Sequence, residues 1–329
     1  GYTHYTPAAG LPEVRQGISA HISRSRNAEV TPAQVVITPG AKPIMFFTIL
    51  ALLQPGDEAI YPDPGFPIYR SMIDFVGAVP VPLPLREANQ FRVDPNEFRS
   101  LVNDRTRLII INTPQNPTGG VLTRADLEVI ADTVRERNIT VLSDEVYEQI
   151  IYEGKHTSIL SFPGMRSKTV LLDGFSKTYA MTGWRLGYGV MPEPLAAQIE
   201  KLMVNSNSCT AAFTQLAGLA ALTGSGAAIA KMVASFRKRR QVIVTGLNEI
   251  PGFRCTEPAG AFYAFANVDR TGLDSKTVET LLLNEAGVAS LDGGGFGQFG
   301  RGYIRFSYAN STENLRTALS RIRQLVEAW

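Results

Sequence analysis

The sequence predicts an α/β protein, with a mostly parallel sheet sandwiched by helices and a smaller C-terminal α+β domain after it. Three observations predict this. Short apolar runs alternate with helical patterns through the first two thirds of the chain, the pattern of a parallel sheet covered on both faces. The chain has 329 residues, 44% hydrophobic and 19% charged, enough for a core divided over roughly two domains. A long helix is expected around residues 226–250, and the strand GAFYAFANV beyond it alternates as a half-buried strand does. The expected division is therefore residues 1–230 and residues 231–329, joined through that helix.

The elements follow in order. TPAQVVITPG ends a strand, Val35 to Thr38, at a glycine, and AKPIMFFTILALL continues as an apolar helix. Within QPGDEAIYPDPG a short strand covers Glu58 to Tyr61; FPIYRSMIDFVG is then a helix, and AVPVPLPL an extended segment broken by prolines. RLIIINTPQNPTGG is a buried strand entering a turn-rich loop. TRADLEVIADTVRERN is a helix with Thr123 as N-cap and Asp126 in its first turn. ITVLSDEVY and TVLLDGFSK supply two more strands. After the long helix come strand 260–268, helix 276–286, the glycine-rich stretch LDGGGFGQFG, strand 303–308, and a terminal helix capped near Ser311 and Thr312.

Charge and composition exclude several classes. With 32 basic and 30 acidic residues, there is no electrostatic reason to expect nucleic acid or a membrane surface as a partner. The cluster FRKRRQ on the long helix reads as a solvated face or a dimer edge. The longest apolar run, PIMFFTILALL, falls short of the ~20 residues a bilayer requires. Cys209 and Cys255 lie far apart and read as reduced thiols in a cytoplasmic protein. His4, His21 and His156 lack the spacing of a metal site, so no metal is expected. The chain opens at Gly1, and a preceding segment is expected to have been removed.

In a parallel sheet the loops at the carboxyl ends of the strands converge on one crevice. Four such loops carry polar residues. PGAK (39–42) follows the first strand, its glycine letting backbone N–H groups approach an anion at a helix start. NTPQNPTGG places Asn112 and Asn116 there, SDEVY places Asp144 and Tyr147, and GFSK places Lys177 with Arg185 beyond it. Taken singly, Asp144 reads as a cap, Asn116 as a turn former, Tyr147 as core and Lys177 as surface. Together they supply an anion-binding loop, a carboxylate, a phenol, an amide and two cations.

That set suits a phosphorylated pyridine aldehyde. The phosphate wants backbone amides and an arginine, here Gly40, Ala41 and Lys42 with Arg185. A carboxylate at the pyridine nitrogen keeps the ring an electron sink, a phenol and an amide address the ring oxygen, and the lysine bonds the aldehyde.

Through SDEVY, NPTGG and FSKTYAMTGWRLGY, in that family's order, the sequence resembles the class I/II aminotransferases of the pyridoxal-phosphate fold-type I superfamily. The resemblance implies pyridoxal 5'-phosphate as cofactor, and Lys177 as the lysine that bonds it and shuttles protons. It implies Asp144 as partner of the pyridine nitrogen, Tyr147 and Asn116 as donors to the ring oxygen, and Arg185 at the phosphate. Phe66, in DPGFPIY, takes the place of the aromatic stacked on the ring. Arg305, in YIRFSYANSTENL, matches the arginine that grips the substrate carboxylate beside Asn116. Tyr5, in HYTPAAGLPEVR, resembles a tyrosine that reaches the phosphate of the neighbouring subunit, implying a homodimer with shared sites.

Two features depart from that pattern. Some members have a phosphate-binding serine where this chain has Gly174, which leaves Ser176 as a substitute, and the stretch 291–300 is unusually rich in glycine. The family's N-terminal segment is expected to be missing. The implied reaction is ping-pong transfer of an amino group between an amino acid and a 2-oxo acid. Alternatives with the same cofactor are a carbon–sulfur lyase, a cyclopropane-forming synthase and a non-catalytic regulator. A dicarboxylic substrate needs a second arginine, for which Arg24, Arg26 and Arg301 are the candidates, although each reads first as a surface residue.

Overall fold

Leu108 and Ile110 face one side of their strand, and Ile109 and Ile111 the other; all four are buried. This period of two with no polar face is the mark of a strand in the middle of a covered sheet. A computed structural model of residues 1–329 shows that sheet. Its seven strands are β1 (Val35–Thr38), β2 (Glu58–Asp63), β3 (Val79–Pro84), β4 (Thr106–Asn112), β5 (Thr140–Asp144), β6 (Thr169–Gly174) and β7 (Gly187–Val190), in the order β1-β7-β6-β5-β4-β2-β3.

The helices of this part are α1 (Pro12–Ser25), α2 (Lys42–Leu52), α3 (Ile68–Phe75), α4 (Pro95–Leu101), α5 (Arg124–Val134), α6 (Glu193–Ser206) and α7 (Ala212–Thr223). Leu108 and Ile110 pack with Ile44 and Phe47 of α2, Tyr69 and Met72 of α3 and Ile199 of α6. Ile109 and Ile111 pack with Phe98 of α4 and Leu127 and Ile130 of α5. As expected, Thr123 caps α5, accepting the Asp126 N–H at 3.2 Å while Asp126 accepts the Thr123 N–H at 2.8 Å.

Two parts of the sheet differ from the sequence reading. The proline-broken segment becomes β3, a parallel edge strand beside β2, the one sheet position where missing N–H donors do no harm. Strand β7 was not expected from GYGV. It runs antiparallel between β1 and β6, and its reversal brings the residues just before it to the edge where β1 and β6 end.

The long helix is α8 (Ala227–Asn248). A second sheet, of β8 (Arg254–Cys255), β9 (Tyr263–Asn267), β10 (Leu291–Asp292) and β11 (Tyr303–Ser307), is antiparallel in the order β10-β11-β9-β8. Helices α9 (Ser275–Asn284) and α10 (Thr312–Val326) share a core with it, joined by Tyr147, Ile150 and Tyr152. The basic cluster on α8 is only partly a solvated face. Arg237 and Lys238 are exposed, but Arg240 is buried. Its guanidinium lies 4.6 Å from the Tyr152 ring and donates to the Pro258 carbonyl at 3.0 Å.

Candidate active site

At the carboxyl edge of the large sheet lies a cavity of about 440 Å³. Its walls include Ala41, Lys42, Phe66, Asn112, Asn116, Asp144, Tyr147, Ser176, Lys177, Arg185 and Arg305. Strand order explains the gathering. Asn112 pairs with Asp144 across β4 and β5, and Gly174 with Gly187 across β6 and β7. The loops that follow β1, β4 and β5 and the one that joins β6 to β7 therefore open on one rim.

Asp144 ends β5 at the cavity floor, 5% exposed. Its Oδ2 accepts the Tyr69 hydroxyl at 2.8 Å and its Oδ1 the Val146 N–H at 3.3 Å. Burial pushes its carboxyl up to about 6 against the pull of these two bonds and of Lys177. Lys177 stands in the loop after β6, its Nζ 5.9 Å from the Tyr147 ring and 5.7 Å from the Phe262 ring. Burial lowers its pKa, and the Arg305 and Arg185 guanidinium groups lower it further. A neutral amine is a nucleophile and a proton acceptor, and a lowered pKa favours that form of the lysine.

Arg185, φ 51°, is pinned between its own loop and the loop after β1: Nη1 donates to the Thr182 carbonyl at 2.8 Å and Nη2 to the Pro39 carbonyl at 3.4 Å. A Cβ on Gly40, φ +85°, would stand 2.2 Å from Arg185 Nη2. Glycine there lets the guanidinium lie against the backbone at the start of α2. Gly187 serves the same crossing, since a Cβ there would come within 2.3 Å of the Ala41 nitrogen. At Gly174, a Cβ would meet the Gly187 Cα at 3.1 Å and the Leu186 carbonyl oxygen at 3.2 Å, so this crowded rim has little room for the serine some sequences carry.

Opposite, Arg305 projects from β11. Its Nη1 donates to Asn116 Oδ1 at 2.7 Å, while its Nε is buried without a partner. Two donors of a fork left in reach of a cavity suit a carboxylate. Asn116 is itself held, its N–H donating to Asn112 Oδ1 at 2.9 Å.

Several expected residues lie elsewhere or are engaged otherwise. Tyr5 is 88% exposed and does not line the cavity. The Tyr147 hydroxyl is hydrogen-bonded to the Tyr263 hydroxyl at 2.8 Å. Of the arginines considered for a second carboxylate, Arg24 and Arg301 are exposed and none lines the cavity. Arg26 is buried, bonded to Glu145 at 2.8 Å and Asp173 at 2.9 Å, because three carboxylates converge on it behind the cavity. Tyr69, Thr182 and Tyr263 line the cavity without having been singled out. For Tyr69 a signal existed: it lies three residues after Phe66, one turn away on the helix that Phe66 precedes.

Residues 1–322 match the family model for aminotransferases of classes I and II. The chain is 41% identical to the aspartate aminotransferase of Pyrococcus horikoshii over 330 aligned positions, 99% of this chain and 84% of that protein. It is 38% identical to aromatic-amino-acid aminotransferase 2 of Thermococcus litoralis, over 99% of this chain and 85% of that one. Among solved structures, the aspartate aminotransferase of Thermus thermophilus with maleate superposes with a TM-score of 0.94 at 34% identity, over 99% of this chain and 84% of that chain.

Proposed function

The chain belongs to the class I and II aminotransferases and is a pyridoxal-phosphate-dependent amino acid aminotransferase, and from that premise we propose how its residues divide the reaction. When bound, the cofactor supplies an aldehyde carbon that bonds amino groups and a protonated pyridine ring that accepts electrons from the substrate α-carbon. The residues present fit it: a buried carboxylate, an amine of lowered pKa and a guanidinium laid on a glycine turn line one cavity.

Arg185, with the backbone of Gly40, Ala41 and Lys42 and with Ser176, would hold the phosphate at the α2 N-terminus. Asp144 would hold the pyridine nitrogen, and Phe66 would lie against the ring. Tyr147 and Asn116 face the ring oxygen, Tyr147 sharing its hydroxyl with Tyr263. Arg305 binds the substrate α-carboxylate, with Asn116 fixing the guanidinium on one side. Lys177 Nζ would hold the cofactor aldehyde and, as a free amine, would accept the proton that leaves the substrate α-carbon. The observation that carries this reading is Lys177, lowered in pKa, in one cavity with Asp144, Arg185 and Arg305.

We place the chain in a homodimer, with Tyr5 reaching the partner's phosphate site. Support comes from Trp184 and Phe213, 50% and 61% exposed, which line one surface depression beside Arg185, an apolar surface of the kind that marks an interface. The cytoplasm suits two cysteines that form no disulfide. No single helix is long and apolar enough to cross a membrane. The division after residue 230 is supported by the core that α8, α9, α10 and the second sheet share, which Tyr147, Ile150 and Tyr152 of the first part also join.

The test is the absorbance spectrum of the holoenzyme before and after single amino acids are added without any oxo acid. Bleaching of the yellow band with one equivalent of 2-oxo acid is the expected result. A band that persists while ammonia accumulates overturns the assignment in favour of a lyase.

A further inference from the structure

The glycine-rich stretch between β10 and β11 acquires a role from what its glycines permit. A Cβ on Gly297, φ +132°, would stand 2.1 Å from Asp63 Oδ1. One on Gly293 would stand 2.1 Å from the Gly300 carbonyl oxygen, and one on Gly300 2.2 Å from the Gly293 carbonyl oxygen. The loop thus folds onto itself and onto the end of β2 only because these positions lack side chains.

Asp63, the last residue of β2, is 1% exposed. Its two oxygens accept the Gln298 N–H at 3.1 Å and the Phe299 N–H at 3.0 Å. Two residues on, the Gly65 N–H donates to the Phe296 carbonyl at 2.8 Å. This docking sets the buried Phe296 ring 4.8 Å from the Arg305 guanidinium carbon, while the Tyr263 ring lies 4.4 Å from it. Aromatic faces hold a guanidinium without using its N–H donors. Apart from the one bond to Asn116, the fork is therefore fixed in place and still free to bind.

We propose that Asp63 is a positioning residue for substrate binding: by anchoring the loop 293–300 it keeps the Phe296 ring against Arg305 and fixes the guanidinium in the orientation that meets a substrate carboxylate. A side chain ordered before binding gives up less freedom on binding. The proposal rests on the reading of Arg305 as the carboxylate site.

The experiment uses the holoenzyme and propionate, a carboxylate without an amino group, titrated by calorimetry. Phe296→Leu and Asp63→Ala are each expected to weaken propionate about tenfold and to raise KM for amino acid and oxo acid alike, with kcat held within about twofold. Cofactor affinity stays unchanged, and Phe296→Tyr restores parental binding. Asp63→Ala also speeds hydrogen exchange at the Gln298 and Phe299 amides, which Phe296→Leu does not. If Asp63→Ala fails to fold, the Phe296 pair decides. Unaltered propionate binding in Phe296→Leu, or equal loss of propionate and cofactor, overturns the proposal. Arg305→Gln separates the two layers. If it weakens propionate and Phe296→Leu does not, only the positioning role falls; if it leaves propionate unchanged, the carboxylate reading falls and takes the positioning role with it.

Discussion

The Tyr69 hydroxyl donates to Asp144 Oδ2 at 2.8 Å, with both groups buried at the floor of the cavity. Burial holds Asp144 up, from an ordinary 3.8 to about 6, a difference on the order of 3 kcal/mol between its two protonation states. In the cofactor-free protein the folded value exceeds the unfolded one. Its contribution is therefore complete below about pH 4 and is lost as pH rises through about 6. Asp144→Asn, which cannot ionise, should be more stable than the parent at pH 7 and no more so at pH 4, measured by urea denaturation without cofactor. Tyr69→Phe removes a bond that lowers Asp144 and should move the parent's loss to higher pH. A pH-independent gap between parent and Asp144→Asn would refute this.

Lys177 titrates low because it is buried, and then because Arg305 and Arg185 face it. Arg185→Gln should raise the Lys177 pKa in the cofactor-free protein, read from the pH dependence of its acylation by mass spectrometry. Lys177→Ala should lose transamination by more than about a thousandfold and still bind the cofactor without a covalent bond. Turnover comparable to the parent's would end the assignment of Lys177.

Gly40→Ala puts a methyl group 2.2 Å from Arg185 Nη2 at a φ of +85°. The backbone penalty is roughly 1–2 kcal/mol, and the guanidinium must also leave its seat. A cofactor dissociation constant raised about tenfold or more, against a stability loss near 2 kcal/mol, is expected. Cofactor affinity that stays at the parental value would show that the turn does not serve the phosphate.

Strands β4, β5 and β6 were legible because each is built on an apolar run bounded by turns, and the site residues at their ends were legible with them. Asp144, Lys177 and Asn116 needed only the rule that such loops converge. Strand β7 was hidden because two of its four residues are glycine, Gly187 kept small by the backbone of residues 40 and 41 and Gly189 by the side chains of Ile44 and Met191, rather than by any local preference. Phe296 and Tyr263 were invisible for a different reason. Phe296 meets Arg305 because its loop docks onto β2 from the other end of the chain, and Tyr263 because β9 pairs with β11. Arg26 shows the limit most clearly: its carboxylate partners lie 119 and 147 residues away, so the sequence displays its charge and conceals what that charge neutralises.

Arg26 is 2% exposed, with Glu145 at 2.8 Å, Asp173 at 2.9 Å and Glu148 at 3.3 Å. Burial alone would raise the Glu145 carboxyl, but His156 and Arg26, with the Ser158 hydroxyl, carry it down to about 2. Its contribution to stability is present above its ordinary 4.5 and disappears only as pH falls toward 2. Burial holds Asp173 up, with Arg26 opposing. Arg26→Ala strands these carboxylates in the interior, a loss of about 3–5 kcal/mol. The sign with pH follows. Without the guanidinium the carboxylates take up protons at higher pH, which relieves part of the penalty, so the loss should be largest at pH 8 and clearly smaller at pH 5. Arg26→Lys keeps the charge and gives up the fork that reaches three partners, and should fall between parent and Ala. Chemical denaturation of the three proteins at both pH values reads this directly; equal losses at pH 5 and pH 8 would mean that Arg26 acts through packing rather than by compensating buried charge.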